Sequence, residues 1–158
     1  MNQSINNKIF TDNTNELEKD TIFVVSKQNE KFKDIAINGG FELLNSSELK
    51  NYLDMSSIKI IGVTGTNGKT TTASTIYKIL LNLGYKVALQ GTRGFFINEL
   101  CVEDYSLTTP VQLGNFINIQ KAIQNSCQYF VMEVSSHAIE QNRIEGLSFA
   151  LKIHTNIT

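Results

Sequence analysis

The sequence predicts an α/β protein in which a small N-terminal α/β unit precedes a larger unit built on a parallel sheet. Two observations carry this prediction. Apolar runs of strand length alternate with helical patterns along the chain, and such alternation favours parallel strands joined by right-handed crossovers. In addition, 41% of the 158 residues are hydrophobic, which is enough for a modest core and excludes a disordered chain.

The N-terminal unit is expected to span residues 1–57 and to contain two strands and two helices. β-branched residues mark the strands, and glycine or polar residues mark the ends of the elements. The predicted elements are a strand at 21–25, a helix at 29–37 that ends at Gly39 and Gly40, a strand at 41–44 and a helix at 46–53.

The second unit is expected to span residues 58–158. A strand at 58–63 leads through a glycine-rich turn into a helix that ends at Gly84, and the next strand follows at 86–90. The predicted buried face of this helix consists of Ile76, Ile79, Leu80 and Leu83.

The remainder of the second unit alternates in the same way. After an irregular stretch at 98–109, a helix is predicted to begin near Pro110, which suits a first helical turn because its missing N–H has no partner there. The predicted buried face of this helix consists of Phe116, Ile119 and Ile123. The elements that follow it are a buried strand at 129–134, a short helix at 137–141 and a last strand at 148–154. Because the chain stops soon after this strand, we expect the second unit to be incomplete.

Charge and composition exclude several classes of partner. Fourteen Lys and Arg residues against fifteen Asp and Glu residues give a formal charge of −1, so no basic field exists to hold nucleic acid or an anionic membrane. No apolar run approaches the roughly 20 residues of a membrane span, and the polar N-terminus does not resemble a signal peptide. We therefore expect a cytoplasmic protein. Cys101 and Cys127 are too far apart to suggest a metal motif and are expected to be free thiols.

The glycine-rich turn carries the strongest functional signal. It reads Gly65-Thr-Asn-Gly-Lys-Thr-Thr71 between a predicted strand and a predicted helix. Glycine lets successive N–H groups turn inward, the helix N-terminus favours anions, a lysine reaches terminal phosphates and a threonine hydroxyl binds Mg²⁺. The turn departs from the common GxxxxGK[ST] form because Val63 stands at the first glycine position. The alternative is an ordinary turn, but the combination favours a nucleoside triphosphate site.

Glu133 is the second signal, because it ends an otherwise apolar strand. A buried lone carboxylate is costly unless a cation or hydrogen-bond donors compensate it. Ligands gather at the carboxyl ends of parallel strands, which would bring Glu133 to the same edge as Lys69 and Thr70. We therefore predict a Mg²⁺ site there; the alternative is a solvated carboxylate on a strand of opposite polarity.

Three segments together resemble the Mur ligases of peptidoglycan synthesis, most of all the MurE type. They are the glycine-rich turn, Leu107-Thr-Thr-Pro110, and Met132-Glu-Val-Ser-Ser-His-Ala-Ile-Glu-Gln-Asn-Arg143. The resemblance implies an ATP-dependent amide ligase that needs Mg²⁺. Such an enzyme activates the carboxylate of a UDP-N-acetylmuramoyl dipeptide as an acyl phosphate, which the amine of an incoming amino acid then attacks.

The resemblance also implies roles for individual residues. Lys69 and Glu133 would be catalytic, and Thr70 and Glu133 would hold Mg²⁺. The residues expected to bind ATP are Gly65, Thr66, Asn67, Gly68, Lys69, Thr70 and Thr71. The residues expected to contact the muramoyl peptide are Thr108, Thr109, Ser135, Gln141 and Arg143. Hydroxyl and amide groups suit sugar and peptide, and an arginine can grip a carboxylate or pyrophosphate through two hydrogen bonds.

Each of these side chains has an ordinary structural alternative. The threonines and Ser135 would then cap helices, while Gln141 and Arg143 would form a solvated face. Of the two histidines, His137 is expected to orient neighbours through a hydrogen bond, and His154 to be a core histidine inside an apolar strand.

The N-terminal unit resembles the UDP-binding domain of the same family. There an Asp-Ser-Arg motif precedes a strand, whereas here Asn13, Thr14 and Asn15 stand at the matching positions. Thr14 keeps the hydroxyl expected to bind uridine, but Asn15 replaces the arginine.

The competing functions are a folate polyglutamylating or other Mur-type ligase, and a noncatalytic nucleotide-binding module. The family's metal-binding histidine, carboxylated lysine, adenine contacts and amino-acid-binding domain would all lie beyond this chain. We therefore expect the chain by itself to be inactive. Neither the amino acid that is added nor the oligomeric state follows from the sequence.

Overall fold

The N-terminal residues form a four-stranded sheet. The computed structural model describes residues 3–104 and 107–157. The strands are β1 (Gln3–Ile5), β2 (Lys8–Thr11), β3 (Thr21–Val25) and β4 (Glu42–Asn45), which lie in that order. β1 runs antiparallel to β2, and the other neighbours are parallel. The strand predicted at 21–25 is confirmed.

The helices of this N-terminal part are shorter than predicted. The segment after β3 holds a 3-10 turn (Glu30–Phe32) and then α1 (Lys33–Asn38), and 3-10 helices also occur at Thr14–Glu16 and Ser46–Asn51. Asn29, where the helix was predicted to begin, instead has a non-helical backbone and is tied to the preceding residues by its side chain. Its Oδ1 accepts from Ser26 N at 2.7 Å, and its Nδ2 donates to Asp12 O and Val24 O.

A six-stranded mixed sheet forms the second part. It has the order β10-β5-β9-β6-β7-β8. The strands are β5 (Lys59–Thr64), β6 (Val87–Gly91), β7 (Gly94–Ile97), β8 (Leu100–Glu103), β9 (Tyr129–Glu133) and β10 (Phe149–His154). The four strands β10, β5, β9 and β6 are parallel, as predicted.

The hairpin β7–β8 corrects two predictions. Both strands pair antiparallel, so the sheet is not purely parallel, and β8 replaces part of the irregular stretch predicted at 98–109. β8 was missed because Leu100, Cys101 and Val102 form a short apolar run that does not alternate with polar residues as a half-buried strand does.

Helix α2 (Lys69–Asn82) covers one face of the second sheet. Its fully buried positions are Ala73 and Tyr77, which pack with Ile76 and Leu80 against β5, β6 and β9. The predicted face was therefore only partly right. Ile79 and Leu83, which were expected to be buried, are 52% and 67% exposed, because the helix contacts the sheet through the stripe centred on Tyr77.

Helix α3 (Gln112–Gln124) lies on the opposite face and joins the two parts of the fold. Phe116 and Ile119 are fully buried and Ile123 partly, as predicted. Pro110 precedes the N-cap residue Val111, so the helix begins two residues later than predicted. One cluster of buried side chains extends from Phe10 in β2 through α3 to Phe130 in β9.

Hydrogen bonds across the same boundary reinforce this shared core. Gln112 Nε2 donates to Ser46 O at 3.0 Å, and Gln120 Nε2 donates to Ser4 O at 2.8 Å. Within the described ranges, no helix is both long and apolar enough to span a bilayer.

Candidate nucleotide and metal site

The glycine-rich turn connects β5 to α2, in the predicted order of strand, loop and helix. Gly68 is the N-cap of α2 with φ of 82°, and Gly65 has φ of 139°. These left-handed conformations favour glycine. Lys69 Nζ donates to Gly65 O at 2.6 Å and to Thr66 O at 3.2 Å, so the lysine folds back across the loop.

Glu133 lies directly beside this loop. β9 pairs parallel with β5 in a register that sets Val63 opposite Glu133, which brings the carboxylate to the same edge of the sheet as the loop. Thr70 Oγ1 donates to Glu133 Oε2 at 2.8 Å, and the glutamate is only 2% exposed. The predicted proximity of Lys69, Thr70 and Glu133 thus holds in the structure.

Thr92 is a neighbour of Glu133 that the sequence analysis missed. It follows β6, and it donates to the carboxylate both from its backbone N, at 3.0 Å to Oε1, and from its hydroxyl, at 3.1 Å to Oε2. A Cβ added to the preceding Gly91 would overlap Glu133 Oε1, so a larger residue there would displace the carboxylate. β6 is the parallel neighbour of β9, so a Gly-Thr pair at the end of that strand was the available signal.

The predicted substrate residues Thr108, Thr109 and Ser135 meet at this edge. Thr108 Oγ1 lies 3.1 Å from Thr92 Oγ1. Thr109 is buried, and its hydroxyl donates to Glu133 O at 2.9 Å and accepts from Ser135 N at 3.1 Å. These threonines therefore cross-link two loops and do not cap α3.

Ser135 does cap a helix. It is the N-cap of the short helix α4 (Ser136–Glu140), and its side chain accepts from Ala138 N at 3.2 Å. The ordinary structural alternative thus describes the contacts of Ser135 in this structure.

Gln141 and Arg143 form a paired cluster. Arg143 donates from Nε and Nη2 to Gln141 Oε1 at 2.9 and 2.6 Å, and from Nη1 to Thr109 O at 2.8 Å. Gln28, from the segment after β3, donates to the same Gln141 oxygen at 2.6 Å. This cluster links the N-terminal part to the loop before α3, and Gln28 is a member that the sequence analysis missed.

Thr14 and the histidines stand apart from these contacts. Thr14 is half-buried in its 3-10 helix, two residues after Asp12, whose carboxyl pKa is raised by burial. His154 is exposed, so the prediction of a core histidine was wrong: β10 is an edge strand, and its residues are largely open to solvent. His137 is exposed too, and within the described ranges its side chain makes no hydrogen bond.

The donor set fits a magnesium ion. A carboxylate and a threonine hydroxyl are hard oxygen ligands of the kind Mg²⁺ prefers, and Mg²⁺ usually completes its octahedron with water and phosphate oxygens. Among residues 3–104 and 107–157, no group of three or more His, Cys, Asp or Glu side chains forms an alternative metal site. An ion bound by Thr70 and Glu133 would accordingly need further oxygens from a ligand or solvent.

A strand, a glycine-rich loop with a lysine and a helix, with a buried carboxylate beside the loop, define a mixed α/β protein whose site lies at the carboxyl ends of parallel strands. The family model described as "Mur ligase middle domain" matches residues 63–158 of this chain. The chain belongs to the Mur ligase family, and the resemblance drawn from its sequence motifs is confirmed.

Curated relatives point to one type within this family. The chain is 52% identical over 151 residues to the UDP-N-acetylmuramoyl-L-alanyl-D-glutamate--2,6-diaminopimelate ligase of Helicobacter pylori, an alignment that covers 94% of this chain and 34% of the relative. It is 49% identical over 152 residues to the identically named protein of Wolinella succinogenes, covering 96% and 35%. The chain therefore spans about a third of the length of these relatives.

A solved structure shows the same fold. The structure titled as a UDP-N-acetylmuramoyl-L-alanyl-D-glutamate--2,6-diaminopimelate ligase superposes with a TM-score of 0.76 and covers 94% of this chain and 36% of its own. Its sequence is 22% identical, so the likeness concerns the fold alone.

Proposed function

We propose that this chain forms the UDP-substrate-binding and ATP-binding parts of a ligase of the MurE type. The reaction is the ATP-dependent addition of an amino acid to UDP-N-acetylmuramoyl-L-alanyl-D-glutamate through an acyl phosphate. The observation that carries the proposal is the 2.8 Å hydrogen bond between Thr70 and Glu133 beside the glycine-rich loop. The names of the curated relatives support it and suggest 2,6-diaminopimelate as the amino acid.

The chemistry requires charge compensation at this edge of the sheet. A carboxylate is a poor electrophile, and bringing it against a triphosphate gathers several negative charges. Lys69 would place a positive charge at the phosphates. A Mg²⁺ ion held by Thr70 and Glu133 would neutralise phosphate charge and favour transfer to the carboxylate.

The residues proposed to bind the muramoyl peptide lie at the same edge of the sheet as Glu133. Thr108 offers a hydroxyl beside Thr92, and Arg143 offers a guanidinium that Thr109 and Gln141 hold in place. We assign residues 1–57, with Thr14, to recognition of the UDP moiety, and residues 58–158 to ATP. A cytoplasmic location belongs to the same proposal, because ATP is available there.

The test is an assay of phosphate release by the protein at its full encoded length. We expect release that depends on UDP-N-acetylmuramoyl dipeptide, a diamino acid and Mg²⁺ together, and that falls at least a hundredfold in Lys69→Ala. The exposed Lys31→Ala serves as the matched control.

Two results would contradict the proposal in different ways. Phosphate release that is independent of the muramoyl dipeptide or of the amino acid would reject the ligase assignment. Binding of ATP without any release would instead favour a noncatalytic nucleotide-binding module.

A further inference from the structure

Thr155 and Asn156 follow β10 and cross the glycine-rich loop. β10 pairs with β5 up to the partners His154 and Thr64. Beyond that point Thr155 N donates to Thr64 O at 2.9 Å, which continues the ladder. The dipeptide is thereby anchored to the same strand that leads into the loop.

The polar groups of Thr155 and Asn156 form hydrogen bonds with the backbone of Thr64, Thr66 and Asn67. Thr155 Oγ1 donates to Asn67 O at 2.5 Å and lies 3.2 Å from Thr64 O. Asn156 O accepts from Thr66 N at 3.2 Å, and Asn156 Oδ1 accepts from Asn67 N at 3.0 Å. The first half of the loop is thus tied to the end of β10.

The second half of the loop keeps its donors. The first N–H groups of a helix have no intrahelical acceptor, which in α2 concerns the residues from Lys69 onward. The bonds to Asn156 involve only Thr66 and Asn67, so they fix the loop without using the helix N-terminus.

Gly65 records how closely the dipeptide approaches. A Cβ at this position would overlap Thr155 Oγ1 and would lie 3.1 Å from Asn156 N. The glycine is therefore needed for contact with the end of β10, in addition to its φ of 139°.

We propose that Thr155 and Asn156 are positioning residues, which hold residues 65–68 in the shape that binds the triphosphate. This inference rests on the proposed ATP-binding function. A glycine-containing loop has many conformations, and ordering it only when ligand binds would cost affinity. Three hydrogen bonds between this dipeptide and the backbone of Thr66 and Asn67 supply that order in advance.

The experiment is calorimetric titration with Mg-ATP, using the protein at its full encoded length. Thr155→Val removes the hydroxyl while keeping the shape, Thr155→Ser keeps the hydroxyl, and Asn156→Ala removes the side-chain acceptor. We expect the dissociation constant to rise roughly tenfold in Thr155→Val and Asn156→Ala. Thr155→Ser should stay within about twofold of wild type, as should Thr75→Val, which makes the same change at an exposed position of α2.

A second readout reports the loop itself. Hydrogen exchange of a peptide covering residues 64–68 should accelerate in Thr155→Val and Asn156→Ala, but not in Thr155→Ser, while the melting temperature stays within a few degrees. A purely structural contribution would lower the melting temperature together with the affinity and would not be rescued by serine.

The outcomes separate this inference from the function on which it rests. If the wild type, Thr155→Val and Asn156→Ala all bind Mg-ATP with the same affinity, the inference is overturned while the proposed nucleotide function stands. Tighter binding by Asn156→Ala would also overturn it, because Asn156 would then obstruct amides needed by phosphate. Absence of Mg-ATP binding by the wild type would overturn the proposed nucleotide function, and the inference with it.

Discussion

Glu133 is a carboxylate that the protein has buried and then surrounded with donors. Thr70 and Thr92 provide three hydrogen bonds to its two oxygens, which offset the several kcal/mol that burial of an unpaired charge costs. Because a hydroxyl that donates a proton retains lone pairs, Thr70 can bind a cation while it still donates to Glu133.

Replacing this carboxylate should uncouple nucleotide binding from magnesium. In Glu133→Gln the charge is lost while the side-chain volume is kept, so Mg²⁺ should improve ATP affinity by less than about twofold, against an expected tenfold or more in the wild type. The measurement is titration with ATP in Mg²⁺ and in EDTA. The control is Glu99→Gln, whose carboxylate is 80% exposed and lies 3.9 Å from Lys78. Undiminished magnesium dependence in Glu133→Gln would refute the metal role.

Among the secondary-structure elements, β6 contributes to the site through the shape of its last residue. Gly91→Ala should lower the free energy of unfolding by about 1–3 kcal/mol and weaken Mg-ATP binding, because the new methyl group displaces Glu133 in a close-packed site. Urea unfolding and calorimetry measure the two effects. Gly84→Ala is the control, since that glycine has φ of 85° with open space around its Cβ position; it should lose stability and keep its affinity. Equal affinity loss in both variants would contradict the contact argument.

The elements around the site differ in how well the sequence predicts them. The loop and Glu133 were predictable because a local motif and the polarity of parallel strands bring them together. Thr92 was missed because the Gly-Thr pair after β6 becomes informative only once β6 is known to lie beside β9. β8 was missed because its short apolar run does not alternate with polar residues. The burial of His154 was misjudged because an edge strand resembles a central one in hydrophobicity.

In the whole molecule, one buried cluster serves both sheets, and the buried Gln112 is one of the polar links between the two parts. Its amide donates to Ser46 O and Glu145 O at 3.0 and 2.7 Å. Gln112→Leu leaves both carbonyls without this donor and should lower the free energy of unfolding by about 1–3 kcal/mol.

Because the cluster is shared, peptides from residues 3–45 and 59–104 should lose exchange protection at the same urea concentration. The control is Gln124→Leu at an exposed position of α3, which should change neither the free energy of unfolding nor the urea concentration at which the two peptides lose protection. Separate transitions for the two peptides would show that the parts unfold independently.

Alkaline pH should also destabilise the whole fold. Burial raises the pKa of Tyr77 to about 12 and that of Cys127 to about 11, from ordinary values of 10.0 and 9.0. Above pH 9.0 the unfolded chain therefore loses protons that the folded chain retains, and the free energy of unfolding falls as pH rises. Melting temperatures from pH 8 to pH 11 should decline less steeply in Tyr77→Phe than in the exposed control Tyr85→Phe. Identical slopes would contradict the assignment to Tyr77.

The strand order has a consequence for how the chain is made. β5 lies between β9 and β10, so both neighbours of the strand that leads into the glycine-rich loop emerge from the ribosome long after it does. Pairing of distant segments is slow, and unpaired apolar strands are prone to stick to other chains in the meantime. During translation, one edge of β5 stays unpaired until β9 has left the exit tunnel, and the other until residue 154 has done so.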